Sequence, residues 1–171
     1  MVGEPMRLIA QALAAIRAVA AGWVITCFVV MTGAVWVQVG GRYFFNYSIA
    51  SSAEVATLAQ IWMVLVGAGV AARQDIHARI DALVNLFALP IRRVLMAAAS
   101  LLGLVFLVAI VVGSLPMLRQ GQFQTTPALG MPMWIPYLGL VVGPLYFAAE
   151  VIDMAVRQWR GEVRPVEVDA I

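Results

Sequence analysis

The sequence predicts an all-α membrane protein with four transmembrane helices and a short amphipathic interfacial helix between the second and third. Three observations point there. Of 171 residues, 63% are hydrophobic and only 12% are charged, and the mean hydropathy is +0.94. A soluble domain carries roughly 45–50% apolar and about 25% charged residues. Long intervals without any charge recur along the chain, and the arginines cluster in alternate connecting segments. An ordinary soluble globule and a disordered chain are both excluded.

The first span is predicted over 18–41, between Arg17 and Arg42. A crossing of about 30 Å needs about 20 mainly apolar residues, and this stretch exceeds the 7–15 residues of a signal peptide. It reads as an uncleaved anchor. The second span, 55–72, lies between Glu54 and Arg73 and is the shortest. The third, 94–118, lies between Arg93 and Arg119. The interval after Arg119 opens with Gln120, Gln122, Gln124, Thr125 and Thr126. It is too polar to be membrane throughout, so a loop is predicted before a fourth span over 132–152. A polar tail, 153–171, follows, and the chain reads as a single domain, 1–171.

Arginine placement sets the predicted orientation. Arg7 and Arg17 precede the first span. Arg73, Arg79, Arg92 and Arg93 separate the second from the third, and Arg157, Arg160 and Arg164 follow the fourth. The opposite side has Arg42 and Arg119 alone. Both termini and the middle segment are therefore expected in the cytoplasm.

That middle segment, 76–89, is not a fifth span. At 100° per residue Ile76, Ile80, Leu83, Val84 and Phe87 share one face, while His77, Asp81 and Asn85 follow on another. This amphipathic pattern, ended by Pro90, fits a helix lying in the headgroup region or packed on a partner protein. In the outer loop, Tyr43, Phe44, Phe45 and Tyr47 have the character of interfacial aromatics. Ser51 or Ser52 is a candidate cap for the second helix, with Glu54 in its first turn. Trp134 and Tyr137 form a second outer aromatic belt.

Several motifs have plain explanations. Gly67-Ala68-Gly69-Val70-Ala71-Ala72 mimics a dinucleotide fingerprint. It sits inside a span with no acidic residue at the required distance, so it reads as close helix packing. Gly139 and Gly143 form a GxxxG pair of the same meaning. Asn46-Tyr47-Ser48 is a glycosylation sequon of little weight. His77 and Asp81, four residues apart, suit a structural pair.

Function classes narrow by absence. All basic residues are arginine, which excludes a Walker A loop and lysine chemistry. Cys27 is the one cysteine and His77 the one histidine, so no disulfide framework, zinc cluster or bis-histidine haem can be built from this chain. A formal charge of +2 gives no case for nucleic acid. No metal, cofactor or catalytic residue is expected. The spans lack the mid-membrane ionisable groups that pores and ion-coupled carriers use. Glu54, Glu150 and Asp153 fall near span ends. The residues describe a small membrane subunit that packs against something larger.

Several stretches together resemble a known family. Arg42-Tyr43-Phe44-Phe45-Asn46, then Glu54, Gly67-Ala68, Arg73 and His77-Ala78-Arg79-Ile80-Asp81, are similar to the small membrane subunit of TRAP (tripartite ATP-independent periplasmic) transporters, the DctQ-like family. Thr126-Pro127-Ala128-Leu129-Gly130, Pro132, Trp134 and Tyr137 resemble that family's entry to its fourth span. The family often has a tryptophan before its glutamate, where this chain has Ser51-Ser52-Ala53. The resemblance implies an inner-membrane protein that braces a large multi-span transport subunit. That assembly takes up an organic acid, a carboxylate or sulfonate, with sodium, and a periplasmic substrate-binding protein delivers it. On this reading Arg42, Tyr43, Asn46 and Glu54 order the outer ends of spans one and two through an Arg42–Glu54 contact. The outer loops, Arg119 included, face the binding protein. Arg73, His77, Arg79 and Asp81 hold the interfacial helix to lipid headgroups and scaffold, and Gly67, Gly139 and Gly143 are packing positions.

Two other classes compete. The membrane anchor subunit of a redox enzyme complex would need axial ligands within the spans. An independent small exporter usually keeps a mid-membrane glutamate.

Overall fold

The computed structural model describes residues 3–47, 49–84 and 89–159; side chains are described for 11–72 (Ser48 aside), 91, 94, 95 and 97–156. The chain forms α1 (Gly3–Phe44), α2 (Ala50–Val84), α3 (Leu89–Gln120) and α4 (Trp134–Trp159). All four contain a stretch long and apolar enough to cross a membrane: Gln11–Phe44, Ala50–Ala72, Ala97–Gln120 and Trp134–Val156. In hydrocarbon every backbone polar group must be satisfied internally, and a helix does so within one segment.

α1 ends where Asn46 adopts φ +50°, a left-handed conformation that asparagine tolerates better than most residues. The amides of Phe45 and Tyr47 both donate to the Gly41 carbonyl, each at 3.1 Å, which closes the helix end. A Cβ at Gly41 would lie 3.1 Å from the Ile49 side chain and 3.2 Å from the Tyr47 carbonyl, so the tight reversal into α2 favours glycine there. This is what the Asn46-Tyr47 pair does; Ser48 lies outside the described residues.

Two expectations change. Ser51 and Ser52 lie inside α2, which begins at Ala50, and no acid occupies its first turn. Ala50 follows the reversal directly, and the Ser52 amide donates to the Ile49 carbonyl at 3.1 Å, so the backbone makes the turn that a serine cap was expected to make. A separate helix over 76–89 is not seen either. α2 runs unbroken to Val84, because 71–84 contain no glycine or proline to interrupt it. Residues 85–88 lie outside the described residues, and α3 begins at Leu89, one residue before Pro90. Proline is tolerated in a first helical turn, where its missing N–H has no intrahelical partner to lose.

The helices pack in a row: α1 on α2, α2 on α4 and α4 on α3. Within their apolar windows 28% of residues are buried in α2 and α4, against 11% in α1 and α3. The row therefore has an inner pair and two greasy flanks. Its buried apolar residues are mostly small: Ala20 and Cys27 on α1, Ala56, Ala59, Val66 and Ala72 on α2. Lipid is as apolar as leucine, so close backbone approach replaces hydrophobic collapse as the source of helix association.

That approach is closest between α2 and α4. A Cβ on Gly143 would lie 2.7 Å from the Leu65 carbonyl oxygen, and one on Gly69 would lie 2.5 Å from the Tyr146 ring. Gly139 faces the Leu65 Cδ1 at 3.1 Å, and Gly67 meets only Val24 of α1 at 3.8 Å. Trp23 and Trp62 add an edge-to-face contact between α1 and α2, with centroids 5.8 Å apart and planes at 78°.

The four glycines are not equivalent as a result. Gly143→Ala should destabilise the subunit by about 1–3 kcal/mol, because the obstacle is backbone. Gly139→Ala should cost less, since a leucine methyl can rotate away. Thermal unfolding of the two variants in one detergent checks the order.

Candidate functional site

The described residues form two polar clasps towards opposite ends of the helices. The first joins the start of the α1 span to the end of the α4 span. Arg17 Nε donates to Glu150 Oε1 at 2.8 Å, and Arg17 Nη2 donates to Glu150 Oε2 at 2.7 Å. The same Nη2 donates to Asp153 Oδ2 at 2.5 Å. Glu150 and Asp153, three residues apart, lie on one face of α4, so both carboxylates reach one guanidinium. Side-chain exposure is 1% for Glu150, 12% for Arg17 and 18% for Asp153. Glu150 is the largest fully buried side chain described. Buried charge survives only when paired and hydrogen-bonded, and the planar guanidinium fork supplies both.

The second clasp joins the start of α2 to the loop 121–133. The Glu54 Oε2 atom accepts the amides of Ala128 at 3.1 Å and Leu129 at 2.6 Å. The loop is preshaped for this. The Thr126 amide donates to the Met131 carbonyl at 2.8 Å, and the Met131 amide returns to the Thr126 hydroxyl at 3.0 Å. Thr125 and Pro132 form an antiparallel bridge, Gly130 takes φ +65°, and the Gly130 amide donates to the Thr126 carbonyl at 3.0 Å. These bonds turn two neighbouring N–H groups outward as an anion seat, and Glu54 fills it.

The predicted Arg42–Glu54 contact is therefore replaced. Glu54 bonds backbone 74 and 75 residues further along the chain, and Arg42 is exposed with no ion pair among the described residues. Beside Arg42, Tyr43, Phe44, Phe45 and Tyr47 are exposed as an aromatic cluster. Gly67, Gly139 and Gly143 sit at helix contacts, and Asn46 at the reversal. The side chains of Arg73, His77, Arg79 and Asp81 lie outside the described residues. No group of three or more His, Cys, Asp or Glu that could hold a metal occurs among the described residues.

Reading the chain by spans treated Arg17, Glu150 and Asp153 as flanking charges and missed that they meet. The signal was present. An arginine just before the first span and two acids at i and i+3 after the fourth fall on the same membrane side in any four-span chain.

Arg17→Ala leaves Glu150 buried without its counter-charge and should cost about 3–5 kcal/mol. Replacing Arg17 and Glu150 together by leucines should recover most of the loss. Unfolding midpoints of the single and double variants check this. Glu54→Ala should expose the Ala128 and Leu129 amides to solvent exchange, with a loss of about 1–3 kcal/mol. Arg42→Ala should leave those amides protected. Hydrogen–deuterium exchange over 126–131 separates the two.

Comparison with known proteins agrees with this frame. Residues 31–161 match the model for the DctQ component of tripartite ATP-independent periplasmic transporters. The chain is also 23% identical over 136 residues to a Haemophilus influenzae protein described as a TRAP transporter small permease, covering 80% of this chain and 82% of that one. The four apolar helices and the matched family make it a multi-pass inner-membrane protein and a transport subunit rather than an enzyme. The chain belongs to the DctQ family of TRAP transporter small subunits.

Proposed function

We propose that this chain braces a large multi-span TRAP subunit during sodium-coupled uptake of an organic acid, a carboxylate or sulfonate, delivered by a periplasmic substrate-binding protein. The single observation that carries this reading is the distribution of charge and apolar surface. Inside the membrane windows the buried acid, Glu150, is consumed by Arg17, while the flanks of α1 and α3 stay apolar and uncovered. A solute-moving protein needs unspent polar groups along a path. A brace needs wide apolar faces and stiff joints.

The remaining roles follow from that assignment. Both termini face the cytoplasm, as the arginine bias argues. The end of α2 over 76–84, with its amphipathic pattern, then emerges at the cytoplasmic surface, where Arg73, His77, Arg79 and Asp81 engage headgroups or scaffold. Arg42, Tyr43, Asn46 and the Glu54-held loop lie on the periplasmic side, within reach of a docking protein. Gly67, Gly139 and Gly143 hold the row together, and 1–171 act as one domain. Membership of a transporter family is what sets the redox-anchor reading aside.

Reconstitution tests the proposal. Proteoliposomes containing this chain alone should accumulate no organic acid under a sodium gradient. Addition of the large subunit and a loaded binding protein should restore uptake, and omission of this chain should abolish it. Sodium-driven accumulation by the chain alone would overturn the assignment.

A further inference from the structure

We propose that the groove on α3 beside Pro116 is a phospholipid site, in which Arg119 binds the headgroup phosphate and the apolar turns beneath it seat an acyl chain. Val112, Leu115, Pro116, Arg119, Gln120 and Phe123 line a shallow, open groove of about 620 Å³ along one face of α3 and the turn after it. On a helix, positions 112, 115, 116 and 119 follow i, i+3, i+4 and i+7, so they form one continuous stripe. The chemistry changes along that stripe in one direction. Val112 and Leu115 are exposed hydrocarbon within the span that ends at Gln120. Arg119 and Gln120 close the stripe at the membrane boundary, and Phe123 stands almost fully exposed just beyond.

An apolar trough capped by a guanidinium at headgroup depth complements an amphiphile with a hydrocarbon tail and an anionic phosphodiester. Arginine is suited to the head, since its fork donates two parallel bonds to phosphate oxygens. Arg119 is available for it: no carboxylate or side-chain acceptor pairs with this guanidinium among the described residues. Arg42 provides an internal contrast. It is also exposed at the end of a span, but it does not line this groove. A helix from another protein would fill the trough equally well with hydrocarbon, yet it would have to bring a carboxylate to Arg119. Phosphate is already abundant at that depth, and this favours the lipid.

Native mass spectrometry of the full chain, extracted from its own membrane in mild detergent and supplied with phosphatidylglycerol, tests it. One lipid should survive delipidation on the unmodified protein. Arg119→Gln should weaken its retention by about tenfold or more, the scale expected when a charge-assisted hydrogen bond is lost. Val112→Trp, which fills the trough and keeps the arginine, should weaken it as well, and Arg42→Gln should not. Arg119→Gln touches no buried group, so that arm stands even where the tryptophan variant folds poorly. A photo-crosslinker at Leu115 should capture lipid. Equal retention by Arg119→Gln and the unmodified protein overturns the proposal, as does a crosslinker at Leu115 that captures only protein.

Discussion

The contact between Gly143 of α4 and the Leu65 carbonyl of α2 is the constraint on which the other packing depends. α1 is joined to the row through α2, and α3 through α4, so the α2–α4 crossing is the joint that links the two halves. Its closeness follows from the solvent. In lipid no hydrophobic effect presses helices together, and association relies on van der Waals contact and hydrogen bonds. Small residues convert a loose crossing into backbone contact. Gly143 reaches that limit, since an added Cβ would lie 2.7 Å from the Leu65 carbonyl oxygen, whereas Gly69 makes room for the Tyr146 ring at 2.5 Å.

A crossing held by packing alone leaves its partners free to splay at the ends. The two clasps act there. Arg17 ties α1 to α4 at the end where α1 begins, and so bridges helices that are not neighbours in the row. Glu54 ties α2 to the loop between α3 and α4 at the other end. Both use carboxylates as acceptors, but their environments differ. The Arg17 cluster is largely buried, and its two carboxylates rely on one guanidinium, so removing Arg17 alone is costlier than removing it together with the carboxylates it holds. The Glu54 clasp bonds neutral amides and depends on the loop holding its shape. Thr126, buried and bonded through both its backbone and its hydroxyl, provides that shape.

Much of this was legible in the sequence, and the limits have physical causes. Four spans were readable because charge-free intervals of membrane length are decisive in a chain so poor in charge. The small residues of spans two and four were readable as a pattern, but not which of them meet a neighbour closely: Gly143 and Gly69 do, Gly139 meets a leucine methyl, and Gly67 makes only ordinary van der Waals contact. The serine cap and the separate interfacial helix were misread for one reason. Capping residues and amphipathic stripes mark where a helix can start, and they do not interrupt one that has no breaker. The Arg42–Glu54 pairing failed on competition. Two backbone N–H groups already turned outward by a closed loop hold a carboxylate better than a long, solvated arginine, whose ordering entropy offsets most of a surface ion pair.

On the proposed bracing role, charges belong at the rims. Paired charge in mid-span would give the subunit an ion path or a weak point in hydrocarbon. Paired charge at a span end, as in Arg17–Glu150–Asp153, fixes the helix ends while leaving the middle of every span bare. The charge-free middles of α1 and α3 can then lie against an apolar surface, lipid or protein, without desolvating a charge. Fixed helix ends with charge-free flanks between them are what the proposed bracing role requires.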